Sequence, residues 1–312
     1  MSATAFKTYD QVGKKEEISD VIANISPTQT PFQTMIGSDK IKSTFYQWQE
    51  DELATVGDNA VVEGADATDS TLRPTEMRAN TTQILQKTVK VSGTADTVET
   101  YGRARETAYQ VGKKSAELKR EVEYHLIGKS QDAVLGSETV ARKFGNVWGK
   151  DATGVPMIDA VVKVDHTATP AALSEADVLT VNQALYEQGS EAKFIMIKPA
   201  DSLIVANFTA AAGRMREFSG SDRTVVNVVD LYVSPFGEQK VVLNRFMKAD
   251  SALLFDPASF KLSTLRPWTR TLLAKTGDAD RHQILGEFGF KHKHYSASGA
   301  IVGLTGTNPM LP

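Results

Sequence analysis

The sequence predicts an α+β fold, and three features predict it. Two extended runs near the N-terminus are joined by a polar loop. One long amphipathic helix follows, over about residues 103–129. Helical and strand-like segments then alternate between about 166 and 262, as in a second α/β unit inserted into the first.

Residues 1–40 hold scattered apolar side chains, Phe6, Ile18, Val21, Ile22, Ile25, Phe32, Met35 and Ile36, interrupted by Pro27 and Pro31. In the run 42–50, Tyr46 and Trp48 share one face of a strand and Gln47 and Gln49 the other. A polar, Gly-bearing stretch leads from Asp51 through Gly57, Gly64 and Asp69 to Pro74. A second extended run, Arg78 to Val91, sets Leu85, Val89 and Val91 on one face against Ile84, Gln86 and Thr88 on the other. Two strands alone are marginal in water, so this hairpin is expected to find its missing core on another subunit.

From Arg103 to Lys129 there is no proline. Ala104, Ala108, Val111, Ser115, Leu118, Val122 and Leu126 recur at spacings of three and four, which is one apolar stripe. Lys113, Lys114, Glu117, Lys119, Glu121 and Glu123 fall on the opposite face, and the rod should be roughly 40 Å long. Arg142 to Gly149 reads as a compact Gly-bounded segment, and Ile158–Asp165 as a strand. Ser174 can cap a helix that runs to Gln188 and stops at Gly189. Phe194–Ile197 is a short buried strand, and Pro199 sits early in a helix reaching Ala212. Val225–Val233, Lys240–Phe246, Ala252–Phe255 and Phe260–Leu265 are strand candidates, with two or three long extended segments from Thr269 onward.

Composition excludes several classes. The 312 residues allow one large domain or two modest ones, and 41% hydrophobic with 23% charged residues is ordinary for a globular protein. No apolar run is long enough to span a membrane, and the first residues lack an export core. Zero cysteines rule out disulfides and thiolate metal sites. A net charge of -3 argues against a dedicated nucleic-acid binder but leaves room for local basic patches.

Catalytic chemistry finds little footing. There is no phosphate-binding glycine loop, no Gly-x-Ser-x-Gly elbow and no His-Glu-x-x-His. Lys291-His292-Lys293-His294, with Glu287 nearby, offers two imidazoles and no clear third metal ligand; a polar strand face or subunit contact is the plainer reading. Gly277-Asp278-Ala279-Asp280 lacks the glycine and glutamate of a calcium loop and reads as a tight turn. Asp58, Glu63, Asp66 and Asp69 could hold a cation, keep an exposed tip soluble, or meet basic residues of a neighbour. No catalytic, cofactor or metal site is assigned, and the chain is not read as an enzyme.

The run from Gly13 to Phe32 (GKKEEISDVIANISPTQTPF) resembles the opening of a family of tailed-phage major capsid proteins. The same family is matched by Trp48 in its strand, by Val62-Glu63-Gly64, and by Asn80-Thr81-Thr82-Gln83-Ile84 leading to Val91-Ser92-Gly93-Thr94. Gly102-Arg103, Ala141-Arg142, Leu265-Arg266-Pro267 and Lys275-Thr276-Gly277-Asp278 extend the likeness over nearly the whole chain, with 166–262 its vaguest part. The order and spacing of these pieces are more specific than any one of them.

The resemblance implies a Hong Kong 97-type fold: an N-terminal arm at 1–40, an extended hairpin or E-loop at 41–92, a P-domain at 93–165 with a spine helix, an inserted A-domain at 166–261, and P-domain return strands at 262–312. It implies hexamers and pentamers of the chain closing into an icosahedral virion capsid around double-stranded DNA, assembled in the host cytoplasm, with no membrane and no cofactor. Tyr46, Trp48, Leu85 and Val89 would then bury against an adjacent subunit. Glu63, Arg73, Arg103, Lys113 and Lys114 join them as interface candidates from hairpin and helix placement. Scaffolding, portal and decoration proteins are further partners, and DNA contact would be nonspecific, through Lys and Arg. Lys–Asn cross-linking, known in the fold, finds no motif here around Lys40, Lys42, Asn59 or Asn80. A bacterial encapsulin-type nanocompartment shell enclosing protein cargo is the nearest rival. A non-shell binding or enzymatic domain, which would form a discrete monomer or dimer, is the next.

Overall fold

The computed structural model describes residues 29–99, 104–211 and 231–308. The expected arm lies outside the described residues up to 28, as does Arg103. The arm's end is a short helix, α1 (Pro31–Met35), with proline in its first turn where no intrahelical N–H is needed. Its Phe32 is fully buried, in contact with Phe255 and Phe260 at ring-centroid distances of 5.6 and 5.5 Å.

Strands β1 (Gly37–Lys40), β2 (Phe45–Glu50), β3 (Glu76–Thr81) and β4 (Gln83–Ser92) follow. After a single helical turn, α2 (Gly93–Thr97), comes the long helix α3 (Glu106–Glu123). It is shorter than the stripe predicted. A π-helical turn, Tyr124–Gly128, closes it, and glycine fits at 128 because the Phe246 carbonyl would lie 2.8 Å from any Cβ. Leu118, Val122 and Leu126 are buried, so the C-terminal half of the predicted stripe is the inner face, whereas Ala104 and Ala108 at its start are exposed.

Beyond β5 (Lys163–Asp165), α4 (Glu175–Glu187) begins at a reciprocal Ser174–Asp177 capping box and ends before Gly189, whose φ of 78° only glycine adopts freely. Then come β6 (Phe194–Ile197), α5 (Ser202–Ala211), β7 (Leu231–Ser234), β8 (Gly237–Leu243), β9 (Ser251–Phe255), β10 (Phe260–Leu273), β11 (Ala279–His292) and β12 (Gly299–Val302). The strand read at 158–165 shrinks to β5, and most of the one read at 225–233 lies outside the described residues. The strand expected to stop at Leu265 runs on through Pro267, with register shifts on either side of Arg266 that accommodate the missing N–H.

Three sheets result. One has the order β1-β10-β11-β4, with β1 parallel to β10 and the rest antiparallel. A second, six-stranded, has the order β5-β12-β9-β6-β8-β7. It draws β5 and β12 from outside 166–261, so sheet and sequence divisions do not coincide. The third is the two-stranded ribbon β2-β3. Phe260 and Phe290, at 5.4 Å, continue the Phe32–Phe255 contacts and join both large sheets in one aromatic core. α3 lies on the β4 side of the first sheet, where the inward residues Leu85, Val89 and Val91 are buried.

Candidate functional site

Residues 51–75, between β2 and β3, form no strand, and every one of them is exposed. The chain turns at Gly64, whose φ is 81°, with Ala65 N donating to Val62 O at 3.0 Å. A leg of some twelve residues can reach at most about 40 Å. Leu53, Val56, Val61, Val62 and Leu72 are 79–103% exposed along it. Asp51, Glu52, Asp58, Glu63, Asp66 and Asp69 alternate with them, against Arg73 as the one cation. Isolated apolar surface residues need no explanation, but five on one projecting loop mark a contact surface.

The root of this loop is rigid. β2 turns Tyr46, Trp48 and Glu50 inward. Tyr46 Oη donates to Phe290 O at 2.8 Å, and burial pushes its phenol well above the usual range. Gly289 lies under that ring, where a Cβ would come 2.4 Å from Tyr46 Oη. Trp48 packs on Tyr46 and Tyr295, with Lys291 Nζ 5.5 Å from its ring centre. Glu50 accepts from Arg78 Nε at 2.5 Å and from Tyr295 N at 2.6 Å, and His294 Nδ1 lies 3.3 Å away.

The inner end of the ribbon is held by buried polar groups. Asn80 Nδ2 donates to Gly145 O (2.9 Å) and Phe290 O (2.6 Å), while its Oδ1 accepts from Gly145 N (2.9 Å). Gly145 is required there, because a Cβ would lie 2.1 Å from Lys150 O. Glu287 gathers Thr82 Oγ1 (2.6 Å), Arg142 Nη2 (2.6 Å) and Arg266 Nε (2.8 Å). Deeper still, Glu123 accepts from Phe32 N and Gln33 N, both at 2.8 Å, and from Asn244 Nδ2 at 2.6 Å. It thereby satisfies the open N-terminal N–H groups of α1. Burial raises its carboxyl pKa, against the lowering effect of these bonds.

Sequence reasoning placed these groups unevenly. Tyr46, Trp48, Leu85 and Val89 are corrected: they are buried within the chain itself, because the ribbon lies on β11 and β4 faces α3. The run 78–91 is likewise two strands, since the chain leaves the ribbon at Thr82 and enters the larger sheet at Gln83. Glu63, Arg73 and Lys113 are exposed, whereas Lys114 is paired with Glu117 at 2.8 Å. Asn80 and Glu287 were not singled out as anchors, and Glu123, read on the charged face of the helix, is corrected: it is fully buried, because it closes the N-terminus of α1. For Glu50 a signal existed, since it continues the Tyr46–Trp48 alternation inward.

His292 Nδ1 is committed to Met157 O at 2.7 Å, and Glu287 to its three donors. Among the described residues no group of three His, Asp or Glu could hold a metal ion. Asp280 pairs with Lys275 at 2.8 Å in the β10–β11 turn, where Gly277 has φ 108°. No described helix is long and apolar enough to cross a membrane.

The family model described as SU10 major capsid protein matches residues 2–305. The major capsid protein of Escherichia phage Phieco32 is 34% identical, over 97% of this chain and 98% of its own length. Among solved structures, the capsid of a native GTA particle superposes with a TM-score of 0.68 at 10% identity, covering 96% of this chain and 98% of the other. The Cyanophage A-1(L) capsid gives 0.67 at 12% identity, over 96% and 99%. An encapsulin complex from Synechococcus elongatus gives 0.55 at 8% identity, over 91% and 92%. The fold is therefore the Hong Kong 97-type shared by phage capsids and encapsulins. The full-length sequence match separates the two: this chain belongs to the SU10 major capsid protein family.

Proposed function

We propose that this chain builds the head of a tailed bacteriophage, as hexamers and pentamers closing into an icosahedral shell around double-stranded DNA. The observation that carries the mechanism is the 51–75 loop: wholly exposed, apolar and acidic by turns, and fixed at a rigid root. Among the described residues its apolar side chains find no cover, so they are covered by the next copy, with Glu63 and Arg73 among the contacting residues. Such a contact is head-to-tail and not self-complementary, which generates rings. In this reading 1–40 is the arm, 41–92 the E-loop with its root, 93–165 and 262–312 the P-domain, and 166–261 the A-domain. Portal, scaffolding and decoration proteins complete the head.

The test is sedimentation and negative-stain microscopy of the chain, alone and with the other head proteins of its phage, followed by nuclease treatment of native particles. Shells with five- and six-fold capsomers protecting DNA are expected. Shells that hold protein cargo and no DNA would favour a nanocompartment. A stable dimer indifferent to those partners would sink both.

A further inference from the structure

Helix α3 has two charged faces. Glu117 and Glu121 turn toward β4, where both meet Lys87 Nζ, Glu117 at 2.8 Å, and Glu117 also holds Lys114. The face turned away from β4 carries Lys113, Lys119 and Arg120 around Gly112 and Ala116. At 3.6 residues per turn these five fall within about a third of the helix circumference. Lys113 and Lys119 are exposed and Arg120 half-buried. Among the described residues no ion pair joins any of the three to a carboxylate, and Glu117 and Glu121 are held toward β4. Glu123, which shares the cations' side of the helix one turn beyond Lys119 and Arg120, is buried with its oxygens on Phe32 N, Gln33 N and Asn244 Nδ2. Gly112 has nothing within 4 Å of where a Cβ would sit. Arg105, at the helix start, acts instead on nearby Asp96, and Tyr109 has a contact of its own.

The charges that this sector leaves accessible are all cations, on a chain of net charge -3. A protein partner would ask for apolar or aromatic anchors at the centre of the contact and for few lysines. Here the centre is Gly112 and Ala116. Lys113 and Arg120 stand about 10 Å apart along the axis, and the phosphates of one duplex strand rise about 3.4 Å each along the duplex axis while winding around it. Lys119 and Arg120 sit side by side about 9 Å from Lys113, so the three long side chains can each reach a phosphate of one backbone, and the small residues between them let that backbone approach. We propose that this sector of α3 binds the phosphate backbone of duplex DNA, without reading sequence. The assignment rests on the reading that the shell encloses DNA, and it names the surface that meets it.

The probe is a fluorescent random-sequence duplex, titrated by anisotropy into the unassembled full-length chain at salt from about 50 to about 200 mM. Each neutralised phosphate contributes about -0.9 to the slope of log K against log salt, so these three cations contribute about -3. K113Q/K119Q/R120Q should flatten the slope by roughly one unit per cation and weaken binding more than tenfold at low salt. Lys150→Gln, an exposed cation elsewhere, should leave the slope unchanged within about one unit. An unaltered slope in the triple variant would overturn the proposal. So would a wild-type chain that ignores the duplex, including one that binds polyglutamate through these residues instead. Thermal melts check that the substitutions leave the fold intact, within about 0.5 kcal/mol for each of the exposed positions 113 and 119. Shell formation is scored separately. Wild-type shells without duplex binding overturn this assignment alone, whereas duplex binding through α3 by a chain that never forms shells overturns the shell reading alone.

Discussion

His292 is wholly enclosed, with the Phe260 ring centre 4.4 Å away and that of Tyr295 5.6 Å away. A carbonyl can only accept, so the 2.7 Å contact to Met157 O places the proton on Nδ1. Burial, against the raising effect of that bond and with help from the nearby His294, pushes its pKa down to about 3. In the unfolded chain the imidazole titrates near about 6.5. Between those values the unfolded state holds a proton that the native state refuses, so stability is lost as pH falls through that window. His292→Phe keeps the ring packing and removes the titration. Its stability should depend less on pH between about 6 and 4, by up to about 1.4 kcal/mol per pH unit, in melts of the unassembled chain. Superimposable pH profiles for variant and wild type would refute it. The sequence showed two histidines at strand spacing and suggested a weak metal pair. Its alternation could not show that His292 faces an aromatic core with one nitrogen already used.

At the scale of elements, local pattern was legible wherever one face of an element is buried. α4 follows its capping box and Gly189, and β4 alternates as read, with Leu85 and Val89 in and Ile84 44% exposed. Legibility failed where both faces are buried. Ala79, Asn80, Thr81, Thr82 and Gln83 are all enclosed, and the chain changes sheets there without a glycine or proline to announce it. The cue is tertiary, because Thr82 leaves the ribbon to donate to Glu287. The same enclosure predicts that the loop is separable from its root. Replacing residues 53–73 by a short Gly-Ser turn removes only exposed side chains, and loop closure changes slowly with length. The melting temperature should move by no more than a few degrees, consistent with a cost of about 1 kcal/mol. Particles should vanish from sedimentation profiles. A shortened chain that still closes shells would remove the loop from the assembly mechanism.

On the scale of the whole molecule, the sequence made the missing core look like the reason for assembly, and the structure moves that reason outward. The ribbon has its core at home, in Tyr46, Trp48 and Tyr295, and only the loop beyond Glu50 is left to seek a neighbour. In the proposed assembly each chain gives one loop and receives one on a different surface. The shortened chain keeps the receiving surface and loses the giving one, so it should enter rings and fail to close them. For a ring of six drawn at random with one variant in ten, about half the rings contain no variant. Shell yield should therefore fall far more steeply than the mole fraction of shortened chain in mixtures assembled together. A yield that falls only in proportion would mean that the shortened chain is excluded and its receiving surface is insufficient alone. An undiminished yield would mean that rings close without every loop, which would contradict a head-to-tail contact built on residues 51–75.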